Sequence, residues 1–165
     1  MSLDVIKATE KIARKRGCGI ETCENTARLF IPSRYFDITV DISPVNYLGM
    51  RFVYIVAKFH SGIEYPECTE LFCNRFDLED SIGGKFFVGN QDGNEDFNVL
   101  VYINRQLITA GCEIEEVLGD LINLMIAEVD LYGPIVVKTT DGVTSLDEAW
   151  DFLLFLYLFP NEPNA

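Results

Sequence analysis

The sequence of 165 residues predicts a single α+β domain, a mainly antiparallel sheet covered by helices in the order α-β-β-β-(β)-α-β-β-α, followed by a C-terminal helix. Three observations predict it. Apolar spacing switches from a helical period to a period of two after Gly17. The strands so marked are joined by short turns, with no repeated βαβ unit. Finally, Glu113–Tyr132, EIEEVLGDLINLMIAEVDLY, forms a long helix whose apolar arc needs a sheet beneath it. A chain of this length buries roughly two thirds of its unfolded surface in one core, so residues 1–165 read as one domain. Residues 133–165 read as a C-terminal extension packing on that domain or on a second subunit.

Leu3–Arg16 places Val5, Ala8, Ile12 and Ala13 on one side and its lysines on the other, an amphipathic helix stopped by Gly17. From Cys18 to Ser43 alternation marks strands through Ile20 and Thr22, through Leu29 and Ile31, and through Phe36 to Ile42. Pro44 to Gly49 breaks the pattern. Met50–Phe59, MRFVYIVAKF, is apolar on both faces and belongs in the sheet interior. Pro66 opens a helix that ends near Asp80, with Leu71, Phe72 and Phe76 on its apolar side. After Gly83-Gly84, Lys85–Gly89 and Phe97–Ile103 flank an Asp92-Gly93 hairpin signal.

In the long helix, Glu113, Glu115 and Glu116 load the first turn, where carboxylates complement the positive end of the helix dipole. Gly133-Pro134 reads as its stop. Glu128 projects into the apolar arc between Leu121 and Leu124; it is expected near the arc's frayed end, reaching water or an arginine. Beyond it, IVVK reads as a strand-like piece, and Ser145-x-x-Glu148 is a capping box for LDEAWDFLLFLYLF.

With 48% hydrophobic residues, 20 aromatics and 24% charged residues, the composition is that of a soluble globular protein. The first residues lack a basic flank followed by an apolar run, and Phe152–Phe159 is too short to span a bilayer, so a cytoplasmic location and no membrane partner are expected. Five cysteines without CxxC spacing argue against a disulfide framework or zinc ribbon and read as small buried residues. The net charge of −13 is unevenly spread: +3 over residues 1–16, −6 over 17–112 and −10 over 113–165. Such a surface excludes nucleic acid as a partner, and the basic first helix is expected to dock on the acidic body.

His60, with Cys68 or Cys73 as nucleophile, would make a small cysteine-dependent hydrolase, but no third residue orients the imidazole. Asn90–Asp96 has the composition of a calcium loop, yet its glycine is fourth instead of sixth and Val101 stands where the bidentate glutamate is needed. Gly83-Gly84-Lys85 lacks the spacing of a phosphate loop. The reading is therefore of no catalytic residue, no metal and no cofactor.

Between Asn74 and Tyr132, an asparagine in a helix, a lysine entering a strand (Lys85), an Asp-Gly hairpin (Asp92-Gly93) and a long acidic-headed helix follow one another. This order resembles the YbjN family of bacterial proteins, over about residues 3–132. The resemblance implies the fold of the small acidic type III secretion chaperones and a non-enzymatic, often dimeric protein-binding module, chaperone-like or regulatory. A purely structural subunit is a further alternative.

In the terminal helix Trp150, Leu153, Leu154 and Tyr157 fall on one side and Phe152, Phe155 and Phe159 on the other. A helix apolar on both sides exposes a patch that needs a cover. A homodimer is expected, with Phe152, Phe155, Phe159 and Trp150 as the candidate partner-binding residues for a second copy or another polypeptide.

Overall fold

The computed structural model describes residues 2–79, 83–91, 94–140, 142 and 144–158. Four helices and six strands run α1 (Ser2–Arg16), β1 (Gly19–Cys23), β2 (Thr26–Pro32), β3 (Asp37–Tyr47), β4 (Met50–Ser61), α2 (Pro66–Glu79), β5 (Lys85–Gln91), β6 (Asn94–Ile108), α3 (Ile114–Lys138) and α4 (Leu146–Leu158). The sheet is antiparallel throughout, in the order β1-β2-β3-β4-β6-β5. The predicted α+β class and element order hold, and β4 lies inside the sheet as its two apolar faces require.

Alternation along each strand sends Leu29, Ile31, Ile38, Val40, Ile42, Val53, Ile55, Phe86, Leu100 and Tyr102 to one face, where they join residues of all four helices in one core. The helices thus cover one side of the sheet. Aromatic rings organise the middle of that core: Phe86 lies 5.2 to 5.9 Å from Tyr102, Phe76 and Phe59, each edge to face. The basic face of α1 meets the head of α3, where Lys11 bonds Glu115 at 3.2 Å, Lys15 bonds the same carboxylate, and Arg16 donates to Asn123.

Three local readings are corrected. Gly133-Pro134 does not end the long helix: α3 continues to Lys138, and the IVVK segment is its last turn and not a strand. A proline inside a helix costs roughly 3 kcal/mol. Continuing instead of turning buries Ile135 and Val136 completely, each worth about 1.5–3 kcal/mol, which offsets it. Gly133 makes the continuation possible, since a Cβ there would lie 2.7 Å from the Phe36 ring and 3.3 Å from Phe59. Second, Pro44 does not break β3, which pairs with β4 as far as Tyr47↔Met50. Beyond Ile42 β3 has no partner on its β2 side, and a proline whose missing donor falls there costs the ladder nothing. Third, the cysteines are not uniformly buried: Cys73 is in the core, whereas Cys23, Cys68 and Cys112 are exposed.

The apolar arc of α3 is narrower than its projection, for Leu124 and Leu131 are exposed. One sheet face covers only one flank of a helix. The Asp92-Gly93 turn lies outside the described residues; Gln91 pairs with Asn94 across it.

Candidate binding surface

Glu128 decides how α3 is fixed. It is not at a frayed end but in the core, 6% exposed, and its carboxylate accepts three hydrogen bonds. The Gly83 amide donates to Oε1 at 3.0 Å, the Gly84 amide to Oε2 at 3.2 Å, and the Tyr102 hydroxyl to Oε2. Asn104 Nδ2 donates in turn to the Tyr102 oxygen at 3.1 Å. Burial and the neighbouring carboxylate hold the Tyr102 phenol proton far above its ordinary pKa, so the residue is a donor. The glycine pair is needed for approach: a Cβ on Gly84 would fall within the Tyr102 ring, and one on Gly83 would lie 2.6 Å from Leu124. Nearby, Asp77 accepts the Phe86 amide at 3.0 Å, and burial pushes its carboxyl up to about 6. These carboxylates tie α2, α3, β5 and β6 together through buried hydrogen bonds, the geometry of a structural anchor. Glu128 within an apolar arc and Gly83-Gly84 before a strand were the sequence signals of it.

The other side of the sheet carries no helix among the described elements. Two cross-strand rows run along its middle, Glu21-Arg28-Asp41-Val56-Ile103-Lys85 and Gly19-Phe30-Thr39-Lys58-Val101-Phe87. Val99 and Val101 are buried there by their neighbours although they stand apart from the main core. Toward the β3–β4 hairpin the face turns apolar through the row Val45-Phe52-Leu107. The hairpin ends in a two-residue turn, Leu48-Gly49, at φ +49° and +78°. Such turns favour Asn or Gly at both places, because a branched side chain at positive φ is strained. Leu48 is nevertheless 81% exposed and its neighbour Tyr47 62% exposed, with Met50 and Val45 also open.

The polypeptide fold has a solved counterpart. The crystal structure of YbjN from E. coli, a candidate transcription regulator, matches with a TM-score of 0.52 at 13% sequence identity, over 78% of this chain and 93% of that one. The chain has a YbjN-like fold. No family model and no curated protein matches the sequence, so the likeness rests on the backbone. Within the YbjN-like fold Asn74 is on α2, Lys85 opens β5 and Glu113 precedes α3, in the places that the resemblance implied.

Of the residues expected to face a partner, Trp150 is turned into this chain's own core: it is 8% exposed, packs edge to face on Phe72 at 6.2 Å, and carries the Arg75 guanidinium 4.1 Å above its ring. Phe152 is half-buried, with the Lys138 ammonium 4.3 Å from its centroid. The side chain of Phe155 and all of Phe159 lie outside what is described. Leu154, on the same projected side of the helix as Trp150, is 44% exposed. The capping box forms as read, Ser145 receiving the Glu148 amide at 3.2 Å and giving its own amide to Glu148 at 2.9 Å.

The proposed hydrolase residues are not brought together. Burial and the carboxylates of Asp77 and Glu70 push the Cys73 thiol up to about 12, the opposite of what a thiolate nucleophile needs. His60 lines a concavity on the helix-free face to which neither Cys68 nor Cys73 contributes. Among the described residues no group of three His, Cys, Asp or Glu side chains is placed to hold a metal, and no helix is long and apolar enough to cross a membrane.

Proposed function

We propose that this chain is a non-enzymatic, acidic binding module, chaperone-like or regulatory, that holds a partner polypeptide on the helix-free face of its sheet. The carrying observation is Leu48: an exposed leucine in a strained turn, beside Tyr47, Met50 and Val45, has no role in this chain's own packing. Strain and apolar exposure together mark surfaces kept for contact. The net charge of −13 favours a partner whose apolar contact residues are flanked by basic ones. The YbjN-like fold and YbjN's own description as a candidate regulator support the same reading.

The test is Leu48→Gly. It removes the exposed side chain and relieves a left-handed strain of about 1–2 kcal/mol, so the variant should melt higher than the parent. A polypeptide captured by the parent in the source cell, then purified, should bind the variant about tenfold more weakly, as loss of one apolar anchor implies. Equal affinity for parent and variant would refute the reading.

A second copy is the second reading, favoured by one further observation. Leu71 and Leu154, 61% and 44% exposed, each stand one helical turn from the stacked pair Arg75 and Trp150, so α2 and α4 each leave an apolar side chain open near their contact. Light scattering should give twice the chain mass, and Leu71→Glu with Leu154→Glu a folded monomer; a monomeric parent ends this reading.

A further inference from the structure

The sheet ends in a tongue. β2 stops pairing with β3 at Ala27↔Ile42 and β5 stops pairing with β6 at Lys85↔Ile103, whereas β3, β4 and β6 run on together to Tyr47↔Met50 and Arg51↔Ile108. Alternation turns Tyr47 with Met50, then Val45-Phe52-Leu107, then Tyr54 with Arg105 to the side without helices. Tyr47, Met50, Val45 and Leu107 are all open there. Three strands make a face about 10 Å wide, and these successive rows cover about 13 Å along it, the footprint of roughly two and a half turns of an α-helix.

Both long edges of the tongue are blunted against a further strand. The two-residue turn after Tyr47 points the amides of Tyr47 and Val45 at β4, so that Asn46 and Pro44 face outward, and Pro44 has no N–H to give. On the other edge the outward amide of Arg105 is already taken, donating to the Asn104 side-chain oxygen at 2.6 Å. Strand addition depends on a run of main-chain bonds, and each edge has lost one of its donors. What remains open is the face, which a helix covers by side-chain packing alone.

Charge on the tongue runs against that of the chain. Residues 43–54 and 103–109 contain Arg51 and Arg105 and no Asp or Glu, in a protein of net charge −13. Arg105 lies on the same side as the apolar row, its Nη1 donating to the neutral Tyr54 hydroxyl at 3.3 Å, and among the described residues no carboxylate pairs with it. The acidic body acts on the distant parts of a partner; the charge that touches the tongue meets a guanidinium, whose fork suits a carboxylate.

We propose that the helix-free side of the tongue takes an amphipathic helix of the partner polypeptide, its apolar residues at i, i+3 or i+4 and i+7 on the Val45-Phe52-Leu107 row and a carboxylate on Arg105. This rests on the polypeptide reading above and adds the partner's conformation and the sign of its contact charge.

Random peptides of about 15 residues, roughly four helical turns, are displayed on phage and selected on the full chain, with folded Leu107→Glu used to remove binders to other surfaces. Recovered sequences should carry apolar residues at helical spacing with Asp or Glu beside them, and a synthetic copy of one should gain helical circular dichroism on binding. Arg105→Glu should weaken that peptide at least about tenfold, Arg105→Gln should weaken it less, and a lysine in place of the peptide's acid should recover the loss in Arg105→Glu alone. Apolar residues at alternate positions, basic enrichment in place of acidic, no recovered sequence, or an affinity unmoved by Arg105→Glu would each overturn the proposal. A parent of twice the chain mass that Leu107→Glu makes monomeric would give the tongue to a second copy instead, and sedimentation with phosphatidylserine vesicles that Leu48→Gly abolishes would give it to a lipid surface. The two readings fail separately: a cellular partner lost from Leu48→Gly keeps the polypeptide reading even if the peptides come out as strands, and a partner indifferent to Leu48→Gly removes that reading whatever the peptides show.

Discussion

Replacing Glu128 by alanine tests whether the buried carboxylate anchors α3 to the sheet. Three donors converge on it, and two of them, the Gly84 amide and the Tyr102 hydroxyl, are in buried surroundings. A hydrogen bond to a charged acceptor contributes roughly 1.5–3 kcal/mol, and a buried donor left without one costs about 1–3 kcal/mol. Gly83, only half-buried, can turn its amide to water and adds little. Counting the two buried donors and a small cavity gives a loss of about 3–5 kcal/mol for Glu128→Ala. Glu128→Gln should cost only about 1–2 kcal/mol, since its carbonyl can occupy the Oε2 place and keep Gly84 and Tyr102, with its NH2 opposed to Gly83 alone. Urea unfolding followed by fluorescence of Trp150, the only tryptophan and a core residue, reads both values. Tyr102→Phe completes the cycle. Once the acceptor is gone the hydroxyl has nothing to lose, so the double mutant should be less destabilised than the sum by at least about 1 kcal/mol. A loss below about 1 kcal/mol for Glu128→Ala, or additivity within about 0.5 kcal/mol, would refute the anchor.

Two glycines of α3 should respond oppositely to alanine. Gly119 has open space where a Cβ would go, so Gly119→Ala should gain roughly 0.5–1 kcal/mol of helix propensity, while Gly133→Ala should lose about 1–3 kcal/mol by pressing on Phe36 and Phe59; thermal melts decide. Leu121→Ala, in the buried arc, should cost about 2–5 kcal/mol in urea, against well under about 1 kcal/mol for Asn123→Ala, which loses only an exposed bond from Arg16. For pH, Asp77 keeps its proton in the fold up to about 6 while the unfolded chain releases it near 3.8, so stability contributed by its protonated form should fall as pH rises from about 4 to 6; Asp77→Asn should flatten that slope in melts across the window. His60 contributes with opposite sign, its folded pKa lying below 6.5, so Asp77→Asn should leave a gentle rise in stability toward neutral pH.

What the amino-acid sequence determines by itself is whatever depends on neighbours along the chain. Alternation marked where the strands lie and the inward residues of β2 and β3 up to Ile42, because a pleated backbone sends successive side chains to opposite faces regardless of what lies beyond, whereas β4, apolar on both faces, had no inward side to read. The helical period located α1, α2, α3 and α4, and Ser145 with Glu148 located a helix start to the residue, since the capping bonds are local. The tertiary structure decided what depends on residues far apart. Gly133-Pro134 looks like a stop until Phe36 and Phe59 arrive to fill the space that a glycine leaves and the core takes in Ile135 and Val136. Glu128 looks misplaced in an apolar arc until Gly83 and Gly84, more than 40 residues earlier, aim their amides at it. Trp150 looks available to a partner until Phe72 and Arg75 enclose it. The row Gly19-Phe30-Thr39-Lys58 on the helix-free face is legible in no single segment, because it comes together only through the register of four strands. Register is set by which faces are buried, and burial is a property of the whole fold.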